Sequence, residues 1–277
     1  MKVVTYEHEG RRGVGLLVRN GVIPTDYSDM LTFLRSGEEA LAAARTALTS
    51  GRLLRHPRLL APLATPGKML FSGVNYRSHL EENPTAVLPE YPQVFAKLPS
   101  AIIGPEEAII LPTPESQVDY EVELAVVIGK TARKVARAEA LNYVFGYTVV
   151  NDVSARDVQF RDQQITTGKG YDTFCPLGPV IVTADEIPDP QRLRLASFVN
   201  GEQRQAATTA EMIFGVAELI AFLSAHITLY PGDVLSTGTP AGVGCFRQPP
   251  LYLKEGDCVE VEVEAIGRLK NTVVRGW

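Results

Sequence analysis

The sequence predicts an α+β fold: a mixed β-sandwich or roll with few helices, preceded by a small N-terminal unit. Three observations lead there. From residue 67 onward, short β-branched runs follow one another between Gly and Pro turns. A single long helical pattern interrupts them, so strands and helices do not alternate as a doubly wound parallel sheet requires. Residues 1–66 differ in character, with two strand-like pieces, an Ala-rich helix and a Pro-punctuated stretch.

In the N-terminal block, Lys2–Tyr6 and Gly13–Val18 read as strands and Glu38–Leu48 as a helix. Pro57, Pro62 and Pro66 close the block, which divides the chain into 1–66 and a larger domain, 67–277. In that larger domain the strand runs are Ala101–Ile103, Ala108–Leu111, Val118–Ile128, Tyr143–Val150, Gly178–Thr183, Asp233–Ser236 and Val259–Glu264. Thr209–His226 carries Met212, Ile213, Val216, Leu219, Ile220 and Leu223 at i, i+3 and i+4, which predicts one helix.

A chain of 277 residues with 45% hydrophobic composition can bury a full core, which excludes a disordered or fibrous reading. Its net charge of −5 lacks the basic footprint of a nucleic-acid binder. No apolar run reaches membrane-spanning length and the N-terminus has no signal-like apolar core, so the expectation is a cytoplasmic protein without a membrane partner. Cys175, Cys245 and Cys258 are too scattered for a disulfide framework or a thiolate zinc site. The phosphate-loop, dinucleotide and nucleophile-elbow motifs are absent.

The richest stretch is Val118-Asp119-Tyr120-Glu121-Val122-Glu123-Leu124-Ala125-Val126-Val127-Ile128. On a strand Glu121 and Glu123 share a face, at the mouth of a segment that is apolar on both sides. Charge is costly there unless something pairs it. Val259–Glu264 also contains Glu-x-Glu, but its charged face opposes a clean valine face, as on a half-exposed amphipathic strand. A third acid, Asp152, ends the next strand, and a helical turn beyond it puts Asp152, Arg156 and Gln159 on one face. A helix N-cap with an ion pair explains the same residues. Three carboxylates without Cys or His ligands suit a hard cation, Mg²⁺ or Mn²⁺, rather than zinc.

Among the four histidines, His79 stands three residues before Glu82 on a short helical turn. A carboxylate beside an imidazole orients it as a base, although a surface ion pair has the same spacing. Lys169 lies between Gly168 and Gly170, and Thr237–Gly244 forms a glycine-rich loop after a strand, either a carboxylate cradle or a tight turn.

Five segments together resemble the fumarylacetoacetate hydrolase superfamily. They are Gly73-Val74-Asn75-Tyr76-x-x-His79-x-x-Glu82, Asp119–Leu124, Asn151-Asp152-Val153-Ser154-Ala155-Arg156-Asp157-x-Gln159, Gly168-Lys169-Gly170-x-Asp172-Thr173 and Thr237-Gly238-Thr239-Pro240-x-Gly242-Val243-Gly244. The resemblance implies the β-sandwich roll of that family, a homodimer, and Mg²⁺ or Mn²⁺ held by Glu121, Glu123 and Asp152. It implies a water-activating His79–Glu82 dyad on a lid, Gln159 near the attacking water, and Lys169 reaching the substrate. Arg156 and Thr239 are the implied substrate-binding residues, Arg156 offsetting the negative charge of a 2-oxo acid.

The implied activity is metal-dependent hydrolysis of the C–C bond of acylpyruvate-type acids such as fumarylpyruvate, through an enolate. The same site serves, as alternatives, oxaloacetate tautomerisation or decarboxylation and isomerisation of 2-hydroxyhepta-2,4-diene-1,7-dioate. Two other classes remain: a non-catalytic metal-binding protein, and a metal-free aldolase using Lys169 as a Schiff base.

Overall fold

The computed structural model describes every residue except Pro84, Gln163 and Trp277. The chain opens with a meander of β1 (Lys2–His8), β2 (Arg11–Val18) and β3 (Gly21–Pro24). Helices α1 (Met30–Arg35) and α2 (Gly37–Ser50) follow, then β4 (Arg58–Leu60). Asp29 starts α1 by accepting a 2.7 Å bond from the Thr32 amide. Next come β5 (Met69–Ser72), α3 (Arg77–Glu82), β6 (Val94–Ala96), β7 (Ile102–Ile103) and β8 (Ala108–Leu111). The acid-bearing region contributes β9 (Val118–Asp119), β10 (Val122–Ile128), β11 (Val144–Asn151) and β12 (Ser154–Ala155). After helices α4 (Arg156–Arg161) and α5 (Ile165–Lys169), β13 (Cys175–Thr183) crosses the molecule. The chain ends with β14 (Arg194–Val199), β15 (Glu202–Thr208), α6 (Val216–His226), β16 (Val234–Ser236), β17 (Cys258–Val263) and β18 (Gly267–Arg275).

Two sheets carry the architecture. An 11-stranded mixed sheet runs β3-β2-β1-β13-β11-β10-β16-β5-β6, with β4 on β1 and β7 on β13. A 5-stranded sheet runs β15-β14-β17-β18-β8. Alternation along β10 explains the layers. Val122, Leu124, Val126 and Ile128 meet Val261, Val263 and Leu269 of the smaller sheet, forming the sandwich core. Ala125 and Val127 face the other way and pack with Phe33, Leu34, Ala40 and Ala44 from α1 and α2. All seven residues of β10 are therefore buried, as its near-continuous apolar run demands. Residues 1–66 join this architecture edge to edge, because β1 pairs antiparallel with β13.

Three local expectations change. The stretch Val118–Ile128 is two strands, not one. At the break, the Tyr120 amide donates to Asp119 Oδ1 and the Glu121 amide to Asn151 Oδ1, each at 2.9 Å, in place of ladder bonds. The helix expected over Thr209–His226 begins only at Val216. Thr208 and Glu211 close a separate capped turn, and Asn75 takes the next amides, Ile213 through its carbonyl (2.7 Å) and Phe214 through Oδ1 (2.8 Å). Asp152 also lies outside the helix of Arg156 and Gln159, since β12 intervenes before α4 starts. The Glu-x-Glu strand near the C-terminus is the amphipathic strand expected: Val259, Val261 and Val263 are buried, and Glu262 pairs on the surface with Arg268.

Phe33 ties α1 to the large sheet. It is fully buried, edge-on to Tyr27 (5.1 Å) and Phe145 (6.1 Å). Phe33→Ala is expected to cost about 3–5 kcal/mol in urea unfolding. A loss below ~1 kcal/mol would show that the N-terminal helices are not integral to the core.

Candidate active site

The site assembles where β10, β11, β16, α3, α4 and α5 end together. Glu121, Glu123 and Asp152 are all buried, and one oxygen from each lies within 4.8 Å of the others. Lys169, at the end of α5, places its ammonium 2.7 Å from Glu121 and 2.7 Å from Asp152. It is thus buried between two of the acids at the end of a short helix. Arg156 donates through Nε to Asp119 (2.9 Å), through Nη2 to Glu121 (2.5 Å) and through Nη1 to Gln159 Oε1 (2.9 Å). Each nitrogen of its guanidinium already holds a protein partner, and the bond to Gln159 Oε1 makes the amide nitrogen of Gln159 its remaining donor end.

Glu123 is held differently. One of its oxygens accepts from the Ser236 hydroxyl and from the Gly238 amide (3.0 Å), and no Lys or Arg pairs with it among the described residues. The wall therefore sets three cations, Lys97, Arg156 and Lys169, against four carboxylates, Asp119, Glu121, Glu123 and Asp152. Burial pushes Glu123 well above the usual carboxylate range, reinforced by the charges of Asp152 and Glu121. At Glu121 burial acts in the same sense, but Lys169 and then Arg156 overcome it and hold the carboxyl well below that range. Burial also disfavours the Lys169 ammonium, yet Asp152 and Glu121 keep its pKa raised.

The donor set fits a hard divalent cation. It is oxygen-only and convergent, its spare carboxylate lacks a cationic partner, and the Lys169 ammonium already stands between two of its members.

His79 and Glu82 sit on α3, with Nδ1 to Oε1 at 2.6 Å. The other oxygen of Glu82 accepts from the Gly242 amide at 2.8 Å, which anchors the dyad to the loop after β16. Thr239, in the same loop, is buried, donates to the Val122 carbonyl (3.0 Å) and accepts from Gln205 (2.8 Å). A cavity of about 110 Å³ brings His79, Glu121, Glu123, Arg156, Gln159, Lys169 and Thr239 onto one surface. Glu82 and Asp152 stand behind that surface, bonded to His79 and Lys169.

Sequence reasoning missed three supporting residues. Lys97 is fully buried and bonds Asp152 Oδ1 (2.6 Å) and the carbonyls of Val153 (3.0 Å) and Phe174 (2.6 Å). Asp119 accepts from Arg156 and from the amides of Gly244 (2.7 Å) and Cys245 (3.0 Å). Gln205, on β15, takes the Val122 amide (3.1 Å) and donates to Thr239 and the Pro240 carbonyl (2.8 Å).

Comparison with known proteins decides the family. A model of the fumarylacetoacetate (FAA) hydrolase C-terminal domain matches residues 68–274. The chain belongs to the fumarylacetoacetate hydrolase family. The mitochondrial oxaloacetate tautomerase Fahd2a of Rattus norvegicus is 46% identical over 267 residues, covering 95% of this chain and 85% of the relative. The fumarylacetoacetate hydrolase of Exiguobacterium antarcticum superposes with a TM-score of 0.91 at 39% identity, covering 100% of both chains. A maleylpyruvate hydrolase from Sphingobium sp. SYK-6, solved with manganese(II) and pyruvate, gives a TM-score of 0.84 at 31% identity, again covering 100% of both. Family members of this kind are enzymes, and the observed α+β architecture is theirs. No helix among the described residues is long and apolar enough to cross a membrane.

Glu123→Ala is expected to abolish Mn²⁺ binding measured by calorimetry while leaving the far-ultraviolet dichroism unchanged. Glu262→Ala, on the solvent-facing side of β17, is expected to bind Mn²⁺ like the parent. Undiminished Mn²⁺ binding by Glu123→Ala would remove this cluster as the metal centre.

Proposed function

We propose that this protein is a metal-dependent enzyme acting on enolisable 2-oxo acids, with keto–enol interconversion of oxaloacetate as its reaction. The observation that carries the reading is His79, backed by Glu82, opening on the same cavity as Glu121, Glu123 and the Lys169 ammonium, with Asp152 converging on the two glutamates from behind. The identity to the rat oxaloacetate tautomerase supports the choice of oxaloacetate over the acylpyruvates that the motifs put first.

Held by Glu121, Glu123 and Asp152, Mg²⁺ or Mn²⁺ would supply Lewis-acid polarisation of the 2-oxo group. His79 is the proton carrier. With Glu82 accepting from Nδ1, the basic nitrogen is Nε2, which takes a proton from the carbon beside the keto group and passes it to the enolate oxygen, both transfers running in reverse when the enol reverts. Glu82, fixed by the Gly242 amide, keeps the ring in that tautomer and orientation. Lys169 offers a positive donor to the oxygen where negative charge develops, in a wall that excludes water. Lys97 holds one oxygen of Asp152 and Arg156 holds Glu121, so both carboxylates keep their orientation. Thr239 keeps the loop after β16 against the acid strand.

Hydrolysis of a short acylpyruvate is the second reading, favoured by the maleylpyruvate hydrolase likeness. In that case His79 deprotonates a water instead of a carbon, with the Gln159 amide nitrogen as the donor beside it.

His79→Ala is expected to lower oxaloacetate tautomerisation, followed by enol absorbance, about 10²–10⁴-fold. Lys169→Ala is expected to lower tautomerisation and any acetylpyruvate cleavage together, because both pass through an enolate. Parent-like tautomerisation in His79→Ala would rule out the dyad as proton carrier. Acetylpyruvate cleavage exceeding tautomerisation in the parent would put the hydrolytic reading first.

A further inference from the structure

The cavity has a charged floor and an uncharged rim. Its buried floor carries the acids, Arg156 and Lys169, while its partly exposed rim is Val74, Gln93, Phe95, Gln159 and Ile165. Both cations that line the floor are already paired with its own acids. The three nitrogens of Arg156 go to Asp119, Glu121 and Gln159, and Lys169 is held by Glu121 and Asp152.

The segments that bring Gln93, Phe95 and Ile165 to the rim are equally short of positive charge. Residues 78–96 and 162–168 contain no Lys or Arg, but they do contain Glu81, Glu90 and Asp162. The flanking Arg161 is paired with Asp162 at 3.0 Å, and Arg77 is exposed. At about 110 Å³ the enclosed space is smaller than the ~150 Å³ cavity that takes up benzene. The tail of any 2-oxo acid longer than oxaloacetate must therefore pass the rim.

We propose that this rim selects long 2-oxo acids by the charge of the tail, accepting an uncharged tail and rejecting a carboxylate. The inference rests on the 2-oxo acid reading of the site and deepens it. A distal carboxylate leaving water at Val74, Phe95 and Ile165 finds no cation among the rim side chains. A methyl-terminated tail loses nothing there and gains contact with the same apolar side chains. Oxaloacetate escapes the penalty because its second carboxylate lies one carbon beyond the reactive carbon, on the His79 side of the rim. A dicarboxylate with the reach of maleylpyruvate does not.

The test uses two acids of equal length, 2-oxohexanoate and 2-oxoadipate, which differ only in a terminal methyl or carboxylate. Their binding to the Mn²⁺-loaded protein is measured by calorimetry at low salt. The expected result is 2-oxohexanoate binding about 10-fold or more tighter, with the ratio reversed in Gln93→Arg, which supplies the missing cation. Equal or tighter binding of 2-oxoadipate by the parent overturns the proposal, and so does a ratio unmoved by Gln93→Arg. If neither acid binds although oxaloacetate is turned over, the rim admits no tail and the proposal fails alone. If neither binds and oxaloacetate is not turned over, the reading of the site fails with it.

Discussion

The structure around the site depends on one electrostatic imbalance: four buried carboxylates answered by three buried cations. Ion pairs taken out of water are stable only when each partner stays in place and the remaining lone pairs are hydrogen-bonded. That requirement explains why so much of the fold converges here. Asp152 is bracketed by Lys97 on one oxygen and Lys169 on the other, Glu121 by Arg156 and Lys169. Only Glu123 is left to neutral donors, Ser236 and the Gly238 amide. The imbalance thus sits on one identifiable residue, Glu123, within the cluster that could hold a divalent ion.

The two sheets divide the work of holding that arrangement. The large sheet presents the acids, since β10 and β11 pair in register and the Glu121 carbonyl accepts the Asp152 amide at 2.9 Å. The small sheet locks the other side. Gln205 on β15 bonds the amide between the two glutamates and, at the same time, the Thr239–Pro240 turn. Its amide group makes four contacts, counting the Ser197 hydroxyl at 2.8 Å, so it has one orientation only. Sandwich packing and site geometry are in this sense one structure. The apolar face of β10 that builds the core fixes, by alternation, the face on which Glu123 must emerge.

Much of this was legible in the residues. The strand runs, the buried acids, the His79–Glu82 spacing and the contrast with the Glu260–Glu264 strand all rest on local periodicity, and local periodicity survives folding. What was not legible depended on long-range partners. Lys97 stands in Phe95-Ala96-Lys97-Leu98-Pro99, where nothing distinguishes it from a surface lysine. Its partners lie 55 to 77 positions away along the chain. Gln205 sits on a strand of mixed polarity and gains its meaning only from the opposite sheet. The strand break at Tyr120-Glu121 and the late start of α6 have a similar cause. In each, an Asn side chain from elsewhere, Asn151 or Asn75, captured amides that regular structure would have used.

The loop after β16 ties the acid cluster to the His79–Glu82 pair. Its Gly238 amide donates to Glu123 and its Gly242 amide donates to Glu82. The five residues Gly238–Gly242 therefore link the carboxylate that lacks a cation to the carboxylate bonded to His79. Gly238 and Gly242 both hold positive φ, 86° and 106°, and a side chain at either would strike backbone, Gly73 at 3.0 Å or Arg204 at 2.3 Å. The glycines are thus fixed by close approach rather than by a need for flexibility. A loop so confined cannot shift one amide without moving the other. The chain of bonds from Glu123 through Gly238 and Gly242 to Glu82 ends on the His79 ring.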